Sequence, residues 1–204
     1  MDKEIALYII ETLIFGFIYK WMTIPKIWKV KFNLPDKFKS DKLKKYAPYI
    51  IASNHVSVID SIILSRTPLS KVLIYSSFIK YILPLAWVFR VAQYIPNNKR
   101  TMKNCKLKLE MGDSIIVYPE CSYGKSLNPK HLQNNLQKGA FNLCIYTEMP
   151  IIPVAIKGTG HAFIYGIIDI SNITIDYCIP LKKSDDITEL ITKFKKSINA
   201  HLCL

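Results

Sequence analysis

Short apolar, β-branched runs alternate along this chain with segments of helical period, and that alternation restricts the fold more than any other feature. Tyr49 to Ser53, Lys71 to Ser76, Gln93 to Pro96, Ser114 to Tyr118, Pro150 to Ile156 and Ile173 to Ile179 read as strands, the fifth carrying Pro153 inside it. Ser57 to Ser65 reads as a helix stopped by Pro68, Met102 to Met111 as an amphipathic helix ended by Gly112, and Leu136 to Tyr146 as a third. Ser184 is the expected cap of the last helix, with Asp185 and Asp186 at its positive end. The apolar face of that helix is Ile187, Leu190, Ile191, Phe194 and Ile198. Strands alternating with helices predict a single α/β domain, its central sheet mixed but mostly parallel and flanked by helices. In such sheets ligands sit beyond the carboxyl ends of strands. Two polar clusters fall there: Asn54-His55 after one strand and Pro119-Glu120 after another.

The chain before the first of those strands has a different character. Ile5 to Tyr19 is apolar except for Glu11 and Thr12. As a helix it would reach roughly 22 Å, short of the roughly 30 Å hydrocarbon core of a bilayer. Glu11 near its middle makes spanning costlier. Tyr8, Tyr19, Trp21 and Trp28 suit a headgroup zone, with Lys20, Lys26 and Lys29 among them. Residues 1–30 are therefore expected as a helical, membrane-contacting segment lying in one leaflet and broken at Pro25, with the main domain at 31–204. A helix packed on the protein's own core fits the same residues. Phe78 to Arg90, with Pro84 inside, is either a kinked buried helix or a second membrane-touching element. No positive leader region or small-residue cleavage site marks a secretory signal.

Half of the chain is hydrophobic and 21% is charged, which excludes a disordered chain. The net charge of +13 implies an anionic partner: nucleic acid, an anionic membrane, or a phosphorylated or CoA-linked substrate. Lys37, Lys39, Lys42, Lys44 and Lys45 crowd into nine residues, as a solvated loop or a membrane contact. No nucleic-acid motif accompanies the charge, so no nucleic-acid partner is expected. The five cysteines are scattered, without C-x-x-C spacing, which fits a reducing compartment and predicts neither a disulfide framework nor a zinc site. His131, His161 and His201 have no partner at metal-ligand spacing, so no metal site is expected. Asn172-Ile173-Thr174 matches a glycosylation pattern by coincidence, at the start of a strand.

The chemistry-bearing stretch is Ser53-Asn54-His55-Val56-Ser57-Val58-Ile59-Asp60. On one continuous helix, His55 and Asp60 would face about 140° apart. They meet only if His55 lies in the turn before a helix and Asp60 in its opening turns. A base held by a carboxylate would result: the imidazole accepts a proton, and the carboxylate sets the tautomer and stabilises the imidazolium. Alone, this spacing is weak, since a histidine beside an unrelated aspartate is common.

The company it keeps is specific. Asn54-His55-(four residues)-Asp60 resembles the first signature of the glycerolipid acyltransferase superfamily, whose best-known members are the 1-acylglycerol-3-phosphate acyltransferases. Tyr118-Pro119-Glu120-Cys121-Ser122-Tyr123 is similar to that family's Phe-Pro-Glu-Gly-Thr-Arg. Lys138-Gly139-Ala140-Phe141 matches a stretch the family often shows, and Met149-Pro150-Ile151-Ile152-Pro153-Val154 resembles its last signature. The resemblance runs from about Tyr49 to Gly158, roughly half the chain. The second signature, Gly-x-x-Phe-Ile-x-Arg, is poorer: it aligns with Ala92 to Asn98, and Lys99 or Arg100 arrives late for the phosphate-binding arginine. In the third signature Cys121 replaces glycine and Tyr123 replaces an arginine also tied to the acceptor phosphate. A tyrosine cannot make a bidentate phosphate contact, and nearby Lys125 is a candidate substitute. This leaves the acceptor open between lysophosphatidic acid and a lysophospholipid of another headgroup. Cys121 reads as a small filler in place of glycine rather than a thiol nucleophile.

What the resemblance implies is transfer of a fatty acyl group from a thioester to a lipid hydroxyl. His55 would be the base, Asp60 its orienting carboxylate, and backbone amides near the turn a candidate oxyanion site. Asn54, Ser57, Lys99, Arg100, Glu120, Cys121, Ser122 and Lys125 would line the substrate site. The expected co-substrate is acyl-CoA or acyl carrier protein, with no metal or other cofactor. The expected partners are a membrane surface and a lysolipid acceptor, with the active site facing the cytoplasm; oligomeric state is not encoded legibly. A catalytically silent lipid-binding relative is the competing reading.

Overall fold

The computed structural model describes residues 30–33, 48–57, 59–64, 71–75, 95–121, 132–133, 135–161, 173–184 and 186–203. Its strands are β1 (Val30–Asn33), β2 (Ile50–Ser53), β3 (Lys71–Tyr75), β4 (Ile95–Pro96), β5 (Ser114–Val117), β6 (Ile151–Lys157) and β7 (Ile173–Tyr177). Its α-helices are α1 (Ile59–Leu64), α2 (Thr101–Glu110), α3 (Gly139–Thr147) and α4 (Ile187–Leu202). The apolar segment 1–29, the lysine cluster, Phe78 to Arg90, Ser122, Tyr123, Lys125, His131 and Asn172 lie outside the described residues.

The strands form one seven-stranded sheet in the order β1-β7-β6-β2-β5-β3-β4. Every neighbouring pair is parallel except β6 and β7. The expected α/β architecture with a mixed, mostly parallel sheet is what forms. All four residues of β2 are buried. A strand covered on both faces needs no polar alternation, which is why Ile50-Ile51-Ala52 reads as a continuous apolar run. One face presents Ile50, Ala52, Ile115, Ile151 and Ala155 to Cys105 and Leu109 of α2, Phe141 and Cys144 of α3, and Leu190, Phe194 and Ile198 of α4. Phe141 meets Phe194 edge to face, with ring centroids 5.4 Å apart. The opposite face, with Ile51, Ile116, Ile152, Val154 and Ile156, is equally buried.

Several boundaries differ from expectation, each for a local reason. α1 begins at Ile59 because Ser57 is held in the preceding turn, its carbonyl accepting from Asp60 N at 3.1 Å. α3 starts at Gly139, not Leu136, because Gln137 N donates to Pro119 O at 2.7 Å and pins the approach to the turn after β5. The cap of α4 is Asp186, whose carboxylate accepts from Thr188 N at 2.7 Å. Ser184 instead accepts from Asp186 N and hydrogen-bonds to Glu189. β1 is not among the expected strands; among the described residues its partner is β7, far along the chain. α2 does stop at Gly112, whose φ of +91° closes the turn while its N–H and that of Asp113 satisfy the carbonyls of Leu109 and Lys108.

Pro153 sits inside the sheet, where a missing N–H is normally costly. It does so at the end of a ladder. The β6–β7 pairing begins at Val154, and the Pro153 carbonyl accepts from Cys178 N at 2.9 Å just past β7.

Candidate active site

The connection from β2 runs through α1 to β3, on one side of β2, and that from β5 runs through α3 to β6, on the other. β2 and β5 are neighbours, so their carboxyl ends flank a crevice from which the chain departs in opposite directions. Such switch points are where ligands enter open α/β sheets. The β2–β5 register, with Ala52 opposite Val117, carried three residues further brings His55 opposite Glu120. The sheet thus joins the two polar clusters.

Asn54 makes the first residue of the turn rigid. It is 1% exposed, its Nδ2 donates to Ile156 O at 2.9 Å, and its Oδ1 accepts from Ile156 N at 2.7 Å. The last β2–β6 pair is Ser53 with Val154, so the Asn54 carboxamide extends the ladder where the β2 backbone turns away. Expected among the substrate contacts, Asn54 instead braces the turn.

Asp60, in the first turn of α1, is fully buried. Its Oδ2 accepts from Val56 N at 2.7 Å, from Ser57 N at 2.9 Å, and stands 2.9 Å from His55 Nδ1. An oxygen that already accepts two amide hydrogens is an acceptor toward the ring too, so Nδ1 carries the hydrogen and Nε2 the lone pair. Asp60 Oδ1 is buried and has no hydrogen-bond partner among the described residues. The His55 side chain is 13% exposed. Its ring stacks on that of Tyr118, with centroids 4.0 Å apart and planes 13° from parallel.

Glu120 holds the turn from the other side. Its Oε2 accepts from His55 N at 2.8 Å and its Oε1 from Gln133 N at 2.9 Å, with 7% of the residue exposed. Both oxygens are engaged with backbone, so Glu120 holds the His55 amide in place. The amides of His55, Val56 and Ser57 are all donated to Glu120 and Asp60. The oxyanion site expected in this turn therefore does not lie on those three groups. Ser57 contributes its N–H and carbonyl to the turn.

Cys121 has φ +57°, the left-handed conformation that favours glycine. The position is glycine in the resembling signature because the turn demands that backbone, and cysteine adopts it under strain. The residue is exposed, yet the protein mass around its sulfur pushes the thiol up from its ordinary value. A raised thiol is a poor nucleophile at neutral pH, which favours the filler reading. None of the five cysteines is in a disulfide, and three of them are buried. Among the described residues no group of acids, histidines and cysteines is placed to hold a metal, and no helix is long and apolar enough to cross a membrane.

Lys99 and Arg100 are exposed in the turn between β4 and α2, at the same carboxyl edge as His55. Arg100 N donates to Asn98 Oδ1 at 2.8 Å. β4 lies three strands from β2, roughly 14 Å across the sheet. The structure therefore does not bring these cations into contact with His55. Residues that the sequence did not single out for the site are Ser61, whose Oγ is 3.2 Å from Tyr118 Oη, and Gln133. No spacing pattern signals either, because both act across the fold.

A model of the acyltransferase family matches residues 36–157. An uncharacterized acyltransferase of Schizosaccharomyces pombe is 30% identical over 131 residues, 59% of this chain and 46% of that protein. A chloroplastic 1-acyl-sn-glycerol-3-phosphate acyltransferase of Brassica napus is 26% identical over 122 residues, 55% of this chain and 34% of that one. The chain thus spans less than half the length of either curated relative. The crystal structure of the 1-acyl-sn-glycerophosphate acyltransferase PlsC from Thermotoga maritima superposes with a TM-score of 0.70, over 98% of this chain and 81% of that chain. At 18% identity this is a likeness of fold. The matched segment contains the His55–Asp60 turn, the Glu120 brace and every strand of the sheet but β1 and β7 at one edge, and the chain belongs to the acyltransferase family, within the glycerolipid acyltransferase superfamily.

Proposed function

We propose that this chain transfers a fatty acyl group from an acyl thioester, acyl-CoA or acyl carrier protein, to a hydroxyl of a lysophospholipid or glycerol phosphate. The observation that carries this reading is the 2.9 Å contact of His55 Nδ1 with buried Asp60, at the switch point of the sheet. With Nδ1 turned to Asp60, Nε2 is the ring nitrogen that would accept a proton. His55 takes the proton from the acceptor hydroxyl as that oxygen attacks the thioester carbonyl. The tetrahedral intermediate collapses, the carbon–sulfur bond breaks, and Nε2 returns the proton to the departing thiolate. Asp60 keeps the tautomer and stabilises the imidazolium between the two steps. Glu120 and Asn54 hold the turn, and neither needs to move during the reaction. The reading calls for no metal and no cofactor beyond the thioester.

The working place is a membrane surface on its cytoplasmic side. The +13 charge and the apolar residues near the N-terminus support contact with an anionic bilayer, and five cysteines outside any disulfide fit a reducing compartment. Lys99 and Arg100 stand along the carboxyl edge as candidates for an acceptor phosphate, reached by an acceptor lying across the crevice. Ser122 and Lys125 are proposed on sequence grounds for the same role.

The test is transfer from labelled acyl-CoA and acyl carrier protein to a panel of lysolipids and glycerol 3-phosphate, with His55→Ala alongside. Transfer by the wild type that vanishes in the variant identifies the acceptor. No transfer from either donor by folded, membrane-bound protein refutes the reading in favour of a silent lipid-binding relative.

A further inference from the structure

The His55 ring is constrained in two directions, and the proton transfer above uses only one. Asp60 holds its edge at Nδ1. Tyr118 covers its face at 4.0 Å. A hydrogen bond at one ring nitrogen leaves the imidazole free to rock about that contact; a parallel face removes the rocking and fixes the direction of Nε2. The phenol is itself held, because its Oη is 3.2 Å from Ser61 Oγ and the residue is only 9% exposed. Ser61 follows Asp60 on α1, so one helical turn sets both the edge contact and the face contact.

We propose that Tyr118 is a positioning residue for the acyl transfer, held in place by Ser61, and that its ring favours the protonated form of His55 reached in the transition state. The proposal rests on the acyl-transfer reading of His55. A neutral imidazole gains dispersion from the stack; an imidazolium gains in addition the attraction of a cation for an aromatic face. That added attraction exists only once the proton has moved, so it lowers the barrier without tightening substrate binding. Among the described residues the Asp60 carboxylate from α1 meets the ring at Nδ1 and the Glu120 carboxylate after β5 binds the His55 backbone N, and both negative charges favour the imidazolium. Phenylalanine, usual at this place in the resembling signature, would keep the face and lose the tether to Ser61.

The experiment uses the full chain in mixed micelles of detergent and lysolipid. It compares wild type with Tyr118→Leu, Tyr118→Phe and Ser61→Ala, with His55→Ala as the blank. Tyr118→Leu should lower kcat about tenfold, the size of a partly desolvated cation–π contact, and leave KM for both substrates within about twofold. Tyr118→Phe, which keeps the face and loses the tether, should restore part of that loss, and Ser61→Ala, which removes the same tether, should match it. In NMR spectra of 13C-histidine-labelled protein, the upfield ring-current shift of the His55 ring protons should persist in Tyr118→Phe and disappear in Tyr118→Leu. Equal losses in the Leu and Phe variants, or a raised KM with kcat intact, overturn the proposal. If Tyr118→Leu does not fold, Ser61→Ala decides: a lower kcat with altered His55 resonances supports the tether, and unchanged values of both overturn it. Absence of transfer by the wild type refutes the acyl-transfer reading instead, while the ring-current shift still reports the stack.

Discussion

Asn54→Ala separates a residue that braces the site from one that binds substrate. The truncation strips the partners from Ile156 N–H and Ile156 C=O, bonded at 2.7 and 2.9 Å in a region with no exposure. A buried backbone group left without a partner costs about 1–3 kcal/mol. Partial entry of water into the space vacated by the carboxamide brings the expected total to about 2–4 kcal/mol. For a chain of this size that lowers Tm by roughly 5–15 °C. Activity should fall as well, because His55 follows Asn54 directly and loses its fixed point on β6. Urea unfolding followed by far-UV circular dichroism measures the first quantity, and the acyl-transfer assay the second. Asn54→Asp is the informative companion: it keeps an acceptor for Ile156 N–H but turns a carboxylate toward Ile156 O, so it should be at least as destabilised. Loss of transfer with a stability change below about 0.5 kcal/mol would refute the bracing argument and return Asn54 to the substrate.

Other expectations follow from the same geometry. Asp60→Asn should cost about 10³- to 10⁴-fold in kcat with KM little changed, because the amide can present a hydrogen to Nδ1 and so favour the wrong tautomer; a loss below about tenfold would show that the pair is not the proton-handling unit. Cys121→Gly should raise stability by about 0.5–1 kcal/mol, since glycine adopts φ +57° without strain. Transfer should survive that change, and its loss would revive a thiol acyl carrier. Burial pushes the Cys105 and Cys178 thiols from 9.0 up to about 12. Between those values the unfolded chain has lost protons that the folded chain keeps, so stability falls as pH rises through that window. Replacing Cys105 with alanine should flatten the slope of stability against pH, read from urea midpoints at stepped alkaline pH; an unaltered slope would contradict the burial argument. Native protein should also yield its Cys121 and Cys203 thiols to a disulfide reagent and release Cys105, Cys144 and Cys178 only on denaturation.

The sequence by itself determined the architecture and the pairing of His55 with Asp60. A parallel central strand is buried on both faces, so runs such as Ile50-Ile51-Ala52 and Ser114-Ile115-Ile116-Val117 announce themselves through local composition. The His55–Asp60 pairing was legible because it is short-range: a turn followed by one helical turn brings residues five apart together. Element edges were less legible, since their reasons lie elsewhere in the fold. Gln137 is held by Pro119, and β1 exists through its pairing with β7. The backbone contacts of Asn54 and Glu120 were hidden from the sequence for the same cause. A polar residue beside His55 reads from sequence only as a candidate ligand contact, and the structure adds its backbone partners: those of Ile156 for Asn54, and the amides of His55 and Gln133 for Glu120. Tertiary structure alone decided that Tyr118 lies flat on His55 and that Ser61 holds it there. These contacts join residues more than fifty positions apart, through a sheet register that no local pattern encodes.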